Sequence, residues 1–403
     1  ALPGAERFLF NKLLTGGFRM GVAQGLMTKA LAAATGLDEA TIAHRLMGDW
    51  DPARINFADL IAGNDGAGAR PYPFALASQL EGDAAALGPL ADWIAEWKWD
   101  GIRGQLVHRA GAFAVWSRGE ELVTDRFPEF AALADFLPLG TVLDGEILAW
   151  RGDAPLPFAA LQTRIGRKVV SKKALADAPV RFVAYDLLEA DGVDLRDRPL
   201  SERRARLEAM VAALPVGLAL ATSPRVAEIS WDDLAHRRAT ARDLLAEGLM
   251  LKRLSSPYFT GRKRGDWWKW KLDPYTVDAV MIYAQAGHGR RANLFTDFTF
   301  AVRDGNALVP FAKAYSGLSD AEFSEITSWV GKHTLERFGP VRLVTPELVF
   351  ELAFEGIQAS PRHKSGIVLR FPRMLRWRRD KGVADIDTLA ELRRLLAAAG
   401  GPP

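Results

Sequence analysis

The stretch Ala95-Glu96-Trp97-Lys98-Trp99-Asp100-Gly101-Ile102-Arg103 places one lysine among two tryptophans, two carboxylates and an arginine. Apolar neighbours and a nearby cation both disfavour a charged ammonium, which marks the lysine as a candidate nucleophile. Lysine also changes protonation state on burial more readily than arginine does. The plainer reading is an ordinary strand end with mixed charged and aromatic residues. This stretch alone leaves both open, so the residues around it must decide.

Downstream, residues 74–272 read as mixed α/β. Strand-like runs occur at Gly104–His108, Ala112–Ser117, Thr141–Ala149 and Val180–Leu188, with helical patterns at Pro128–Leu137 and Glu202–Ala213. From 273 to 403 the character changes to short strands at Val277–Ala284, Asp297–Val302, Leu308–Tyr315, Leu348–Phe354 and Ile367–Phe371. One helical segment interrupts them near Asp320–Phe338, and a helix at Ile386–Ala398 closes the chain. That pattern fits a small Greek-key barrel of the OB-fold type. Upstream, residues 7–61 read as helical, with Asp38-Glu39 opening one segment, and Gly63–Pro73 reads as a linker. The expected class is α+β and multidomain.

The 403 residues include no cysteine, which excludes a disulfide framework and a cysteine zinc site. No apolar run approaches the roughly 20 residues that cross a bilayer. The start, Ala1-Leu2-Pro3-Gly4, lacks an initiator Met and a signal-peptide pattern, which fits a fragment or processed chain and an intracellular location. The net charge is +3, unevenly spread: six basic residues stand against Asp380 from Arg370 to Lys381, and five against Asp266 from Arg262 to Lys271. Such clusters, interleaved with tryptophan and phenylalanine, suit a polyanion better than a merely solvated surface.

Several further stretches carry chemistry. Arg118, after Trp116-Ser117, is either an exposed arginine or a phosphate fork. Asp144-Gly145-Glu146 is either a turn with solvated acids or a source of hard oxygen ligands for Mg²⁺ or a ribose. Arg181-Phe182-Val183-Ala184-Tyr185-Asp186 is core or a purine-stacking strand. Glu247-Gly248 sets a carboxylate at a strand edge. Trp267-Trp268-Lys269-Trp270-Lys271 puts two lysines on one side of an extended strand, where they repel unless an anion lies between them.

In order, Lys98-Trp99-Asp100-Gly101-Ile102-Arg103, Ser117-Arg118, Asp144-Gly145-Glu146, Phe182 to Asp186, Glu247-Gly248, Lys269-Trp270-Lys271 and Arg378-Arg379-Asp380-Lys381 resemble motifs I, Ia, III, IIIa, IV, V and VI of the covalent nucleotidyltransferases. Segments at 12–22, Thr124–Glu129, Pro157–Arg164 and Phe354–Ser360 are similar to ATP-dependent DNA ligases of the bacterial stand-alone kind. The resemblance implies three parts: the C-terminal part of a helical DNA-binding domain (1–70), a nucleotidyltransferase or adenylation domain (74–272), and an OB-fold domain with a terminal helix (273–403). It implies that Lys98 becomes adenylylated and that the Glu96-Trp97 region recognises the base. Arg103 would touch ribose or phosphates, and Arg118 the 5′-phosphate side of a nick. Glu146 and Glu247 would support ribose and metal. Tyr185 stands where the family usually has a stacking Phe. Arg264, Lys269 and Lys271 would neutralise phosphates, and Arg378, Asp380 and Lys381 would orient the β- and γ-phosphates. Arg19, Arg118, Phe158, Arg164 and Phe371 would meet DNA. The implied cofactors are ATP and Mg²⁺, with Mn²⁺ as an alternative. The expected partner is nicked duplex DNA, the expected state a cytoplasmic, nucleoid-associated monomer with no membrane contact. The rivals are an RNA ligase or capping enzyme, and a non-catalytic nucleic-acid-binding protein.

Overall fold

The computed structural model describes residues 2–16, 22–47, 56–62, 69–165, 167, 169–287 and 292–399. The chain divides into two compact units, Ala1–Lys271 and Leu272–Pro403. The first begins with helices Gly4–Leu14, Gln24–Thr35, Glu39–Arg45 and Phe57–Ala62. Asp38 caps the third, its carboxylate accepting from the Thr41 backbone N–H at 2.8 Å, as an Asx N-cap should.

Two sheets follow. The larger has the strand order Leu220–Thr222, Val180–Ala190, Thr141–Arg151, Ile102–Arg109, Ala112–Ser117. The smaller runs Ser78–Gln79, Trp267–Lys271, Ala246–Arg253, Trp93–Trp99. Val107, Ala114, Trp116, Val142 and Leu188 of the larger sheet pack with Trp267 of the smaller and with Tyr72 and Tyr258. Burying this much aromatic and branched surface is what clamps one sheet to the other. The helix Leu200–Ala212 lies against Val180–Ala190, its Leu207 in the second core on the far side of the large sheet.

Two expectations are corrected and one alternative is decided. The linker reading fails for Arg70–Pro73, which are buried: the Tyr72 N–H donates to Gln105 Oε1 at 2.7 Å, and the Tyr72 hydroxyl donates to Glu189 at 2.7 Å. Gly63–Gly68 lie outside the described residues. Asp144-Gly145-Glu146 lies in the middle of the strand Thr141–Arg151, in line with the strand-like run Thr141–Ala149 and against the turn alternative. Gly145 is required there because a Cβ would stand 2.7 Å from the Val183 carbonyl oxygen and run into the Phe182 ring. In the second unit the helix stops at Lys332, and Thr334–Phe338 is a strand that turns back at Gly339 (φ +58°) to pair with Val341–Val344.

That second unit is built on the long strand Tyr275–Ala286. It pairs with Phe295–Asp304 on one side, and with Val341–Val344 and Val349–Phe354 on the other. Arg373–Trp377 pairs with Val349–Phe354, and Gly356–Ala359 with Ile367–Arg370. The helices Asp320–Lys332 and Leu389–Ala398 bury Phe323, Ile326, Val330, Leu389, Leu392 and Leu396 in its core.

Candidate active site

Register decides which side chains meet in the first unit. Met250 lies opposite both Lys269 and Glu96, and Gly248 opposite Lys271. Residues paired across strands share a face, so Glu96, Lys98, Met250, Lys269 and Lys271 share one side of the small sheet. Lys98 is ion-paired with Glu247, and the Lys271 ammonium lies 3.4 Å from the same carboxylate oxygen. Lys269 completes the group. Burial first, then the charges of Lys98, Arg262, Lys271 and Arg118, hold its ammonium below the ordinary lysine range. A lysine crowded by four other cations in this way is a site for an anion.

The large sheet contributes the other groups. Glu146 lies directly opposite Arg103 in the register. Burial pushes the Glu146 carboxyl up to about 8, against the pull of Lys98 and Arg103. Arg103 grips Asp144 with two N–H groups at 3.2 and 2.7 Å, and donates to the Ala75 carbonyl at 2.6 Å. Its guanidinium also lies over the rings of Phe74, Tyr185 and Trp267 at 5.2–6.0 Å. The Tyr258 hydroxyl donates to the same Asp144 at 2.8 Å. Arg103 is therefore held in one place beside Glu146.

Glu96 is in place, but its carboxylate is turned to a buried pair of cations: Arg204, in contact, and Lys252 at 2.7 Å. Burial alone would raise this carboxyl, yet Lys252 and Arg204 overcome that and hold it below the usual range. Lys252 also lies 4.0 Å from the centre of the Tyr185 ring. Trp97 is buried. Sequence reading gave Arg204, Lys252 and Tyr258 no role, and offered Asp144 as an oxygen ligand rather than as the partner of Arg103. One signal was present for Arg203-Arg204, which sit between Leu200 and Leu207 on the buried face of a helix.

Residues 75–271 match the family model for the ATP dependent DNA ligase domain, and residues 291–381 the model for the ATP dependent DNA ligase C terminal region. A probable DNA ligase of Koribacter versatilis is 38% identical over 405 residues, covering 94% of this chain and 70% of its own length. The chain belongs to the ATP-dependent DNA ligases. A probable DNA ligase of Opitutus terrae is also 38% identical, across 99% of this chain, and the chain spans 46% of that protein's length. A solved structure from work on Lig E DNA ligases has a TM-score of 0.54 at 20% identity, covering 76% of this chain and 99% of that one; it bears on the fold alone.

The remaining expected residues of the ligase fall in different places. Arg118 is exposed at the end of Ala112–Ser117, its N–H donating to the Arg103 carbonyl at 2.9 Å. Arg264 is exposed beside Trp268. Phe158 is half-buried against the core of the large sheet. Arg164 corrects its expectation: it is fully buried, donating to both Glu129 oxygens at 2.6 and 2.9 Å and to the Ala178 and Arg126 carbonyls, so its guanidinium is spent on the fold and cannot reach DNA. Arg19 lies outside the described residues. In the second unit, Phe371 is 67% exposed and held at φ +51°. Arg378 and Lys381 both donate to Asp278, and Arg378 also to Asp380. Among the described residues no three acidic or imidazole groups converge as a metal cage, and no helix is long and apolar enough to cross a membrane.

Proposed function

We propose that Lys98 is the residue that carries AMP, and that the chain seals 5′-phosphate/3′-hydroxyl nicks in duplex DNA. The observation that carries this reading is the lysine–carboxylate contact Lys98–Glu247, set beside Lys269 and Lys271 and across from Glu146. In the first step the Lys98 amine attacks the ATP α-phosphorus, the N–P bond forms, the bond to the β-phosphate oxygen breaks, and pyrophosphate leaves. Lys269 and Lys271 neutralise charge that develops on the phosphate oxygens. In the second step the DNA 5′-phosphate takes the AMP and Lys98 is released. In the third the 3′-hydroxyl attacks that phosphate and AMP leaves.

Glu146 and Glu247 fit a Mg²⁺ ion, which takes one or two carboxylates and completes its shell with water and substrate phosphate. When bound it would supply further charge neutralisation at the phosphates. Tyr185 is the surface for adenine, and its hydroxyl stays protonated because burial, foremost, holds that group well above the ordinary tyrosine range. Exposed Phe371, with Phe158, serves as an apolar wedge on the minor groove beside the nick. Residues 1–70 serve as part of a DNA-binding domain. The second unit has the role of an OB-fold lid, moving about a hinge near Leu272-Asp273-Pro274. Substitutions that stiffen this hinge should slow self-adenylylation, sealing or both; normal rates for both would remove the hinge from the scheme.

The deciding test is incubation with α-labelled ATP and Mg²⁺, then with nicked duplexes of DNA or RNA strands. Label should reside on the protein, disappear in Lys98→Ala, and pass to a DNA 5′ end. Label that survives Lys98→Ala overturns the assignment, and sealing of RNA alone overturns the substrate.

A further inference from the structure

The basic run Arg370–Lys381 does not stand open to a polyanion as its sequence suggests. Arg373 pairs with Glu355 at 3.1 Å, Arg376 with Glu351 at 2.6 Å, and Arg379 with Glu325 at 2.6 Å. Arg378 and Lys381 share one partner. The Arg378 Nη1 donates to both oxygens of Asp278 at 3.2 and 3.0 Å, and the Lys381 Nζ to Asp278 Oδ2 at 2.5 Å.

We propose that Asp278 is a positioning residue for the first step, holding Arg378 and Lys381 side by side so that both meet the β- and γ-phosphates of ATP. The proposal rests on the reading above that these two cations serve the leaving pyrophosphate. Asp278 is built as a fixed post. It is buried, in the interior of the strand Tyr275–Ala286, and lies opposite Glu351 in the pairing with Val349–Phe354. Its N–H donates to the Asp387 carboxylate at 2.7 Å, and its carbonyl accepts from the Asp387 N–H at 2.9 Å. The second partner of Arg378 is different in kind: the Asp380 side chain is 66% exposed, so water screens that pair. Arg378 thus keeps Nη1 on a rigid carboxylate while its Nε/Nη2 fork points to an exposed one. A fork held in this way loses little freedom when it takes a phosphate bidentately. Lys381, a flexible point charge, gains its direction from the same anchor.

The test uses the full chain with Asp278→Asn, Asp278→Glu and Arg378→Ala. Three quantities are read: self-adenylylation from α-labelled ATP, sealing of a nick that already carries AMP, and thermal unfolding. Asp278→Asn should slow self-adenylylation by about 100-fold, the scale of a small misplacement at a reacting centre, and leave pre-adenylylated sealing as in the parent. Asp278→Glu keeps the charge and guards against a variant that fails to fold; it should give a smaller loss confined to the same step. Equal losses in both reactions that track a lowered unfolding temperature would reduce Asp278 to a structural residue and overturn the proposal. Full self-adenylylation in Asp278→Asn, with Arg378→Ala impaired, overturns it too. Full self-adenylylation in Arg378→Ala instead overturns the underlying role of the cation pair.

Discussion

A carboxylate taken out of water costs several kcal/mol unless its partners compensate, and Glu96 has two, Arg204 and Lys252. The arrangement is unequal. Arg204 has a further acid, Glu208, at 2.8 Å, whereas among the described residues Lys252 has Glu96 as its one acid, beside the rings of Tyr185 and Trp267. Neutralising Glu96 therefore strands Lys252, whose side chain is 2% exposed. Glu96→Gln should cost about 3–5 kcal/mol of stability, as expected for breaking a buried pair. Lys252→Met should cost less, because Glu96 keeps Arg204. In urea denaturation the double variant should recover part of the Glu96→Gln loss, and strictly additive losses would exclude the stranded-cation account. The sequence placed Glu96 beside the lysine but not its carboxylate in the fold, because its partner Arg204 is 108 residues away. The motif order singled out Lys98, Glu247 and Lys271, and the three side chains do meet. Arg164 misled because an arginine beside a DNA-ligase-like segment reads as a contact until its burial is known.

Whole strands were legible where apolar residues alternate or run together: Ala112–Ser117 has the expected bounds, and Val180–Ala190 exceeds its expected bounds by two residues. Periodicity placed Gly145 inside a strand-like run, but could not show that the neighbouring strand leaves no room for a side chain there. Gly145→Ala should lower stability by about 1–3 kcal/mol through overpacking against Phe182 and Val183, read in thermal or urea unfolding; a neutral result would mean the strands separate freely. The helix Glu39–Arg45 offers a second test. Its His44 ring stacks on Tyr72 at 5.1 Å, and Arg196 lies 3.9 Å from the same Tyr72 ring. Burial, then Arg196, Arg109 and Arg70, lower the His44 value from 6.5 to about 4, with Asp194 opposing. The folded ring thus refuses a proton that the released ring accepts. The contact is at full strength above pH 6.5 and weakens as pH falls from there toward about 4, by at most about 3 kcal/mol. Hydrogen exchange of the Glu39–Arg45 amides, corrected for intrinsic rates, should show less protection at pH 5 than at pH 7. His44→Phe should remove that difference, and a difference that persists would point to another group.

At the scale of the whole molecule, 52 basic and 49 acidic residues leave little charge in excess, so affinity for DNA depends on which cations are free to trade their counterions for phosphate. Each phosphate contact contributes about −0.9 to the slope of log K against log salt. Counting arginines and lysines in the sequence overstates that slope. Arg376, for example, faces Glu351, whose side chain is 16% exposed and anchored on a strand. Turning Arg376 toward a phosphate would leave that carboxylate unpaired, so the net gain is small. Arg118 has no acidic partner among the described residues and is exposed. In nicked-duplex binding measured across salt concentrations, Arg118→Gln should flatten the slope by about 0.9, and Arg376→Gln by much less. A full unit lost on removing Arg376 would mean that DNA draws the arginine away from Glu351. The internal pairing of Arg370–Lys381 would then be a feature of the free protein alone.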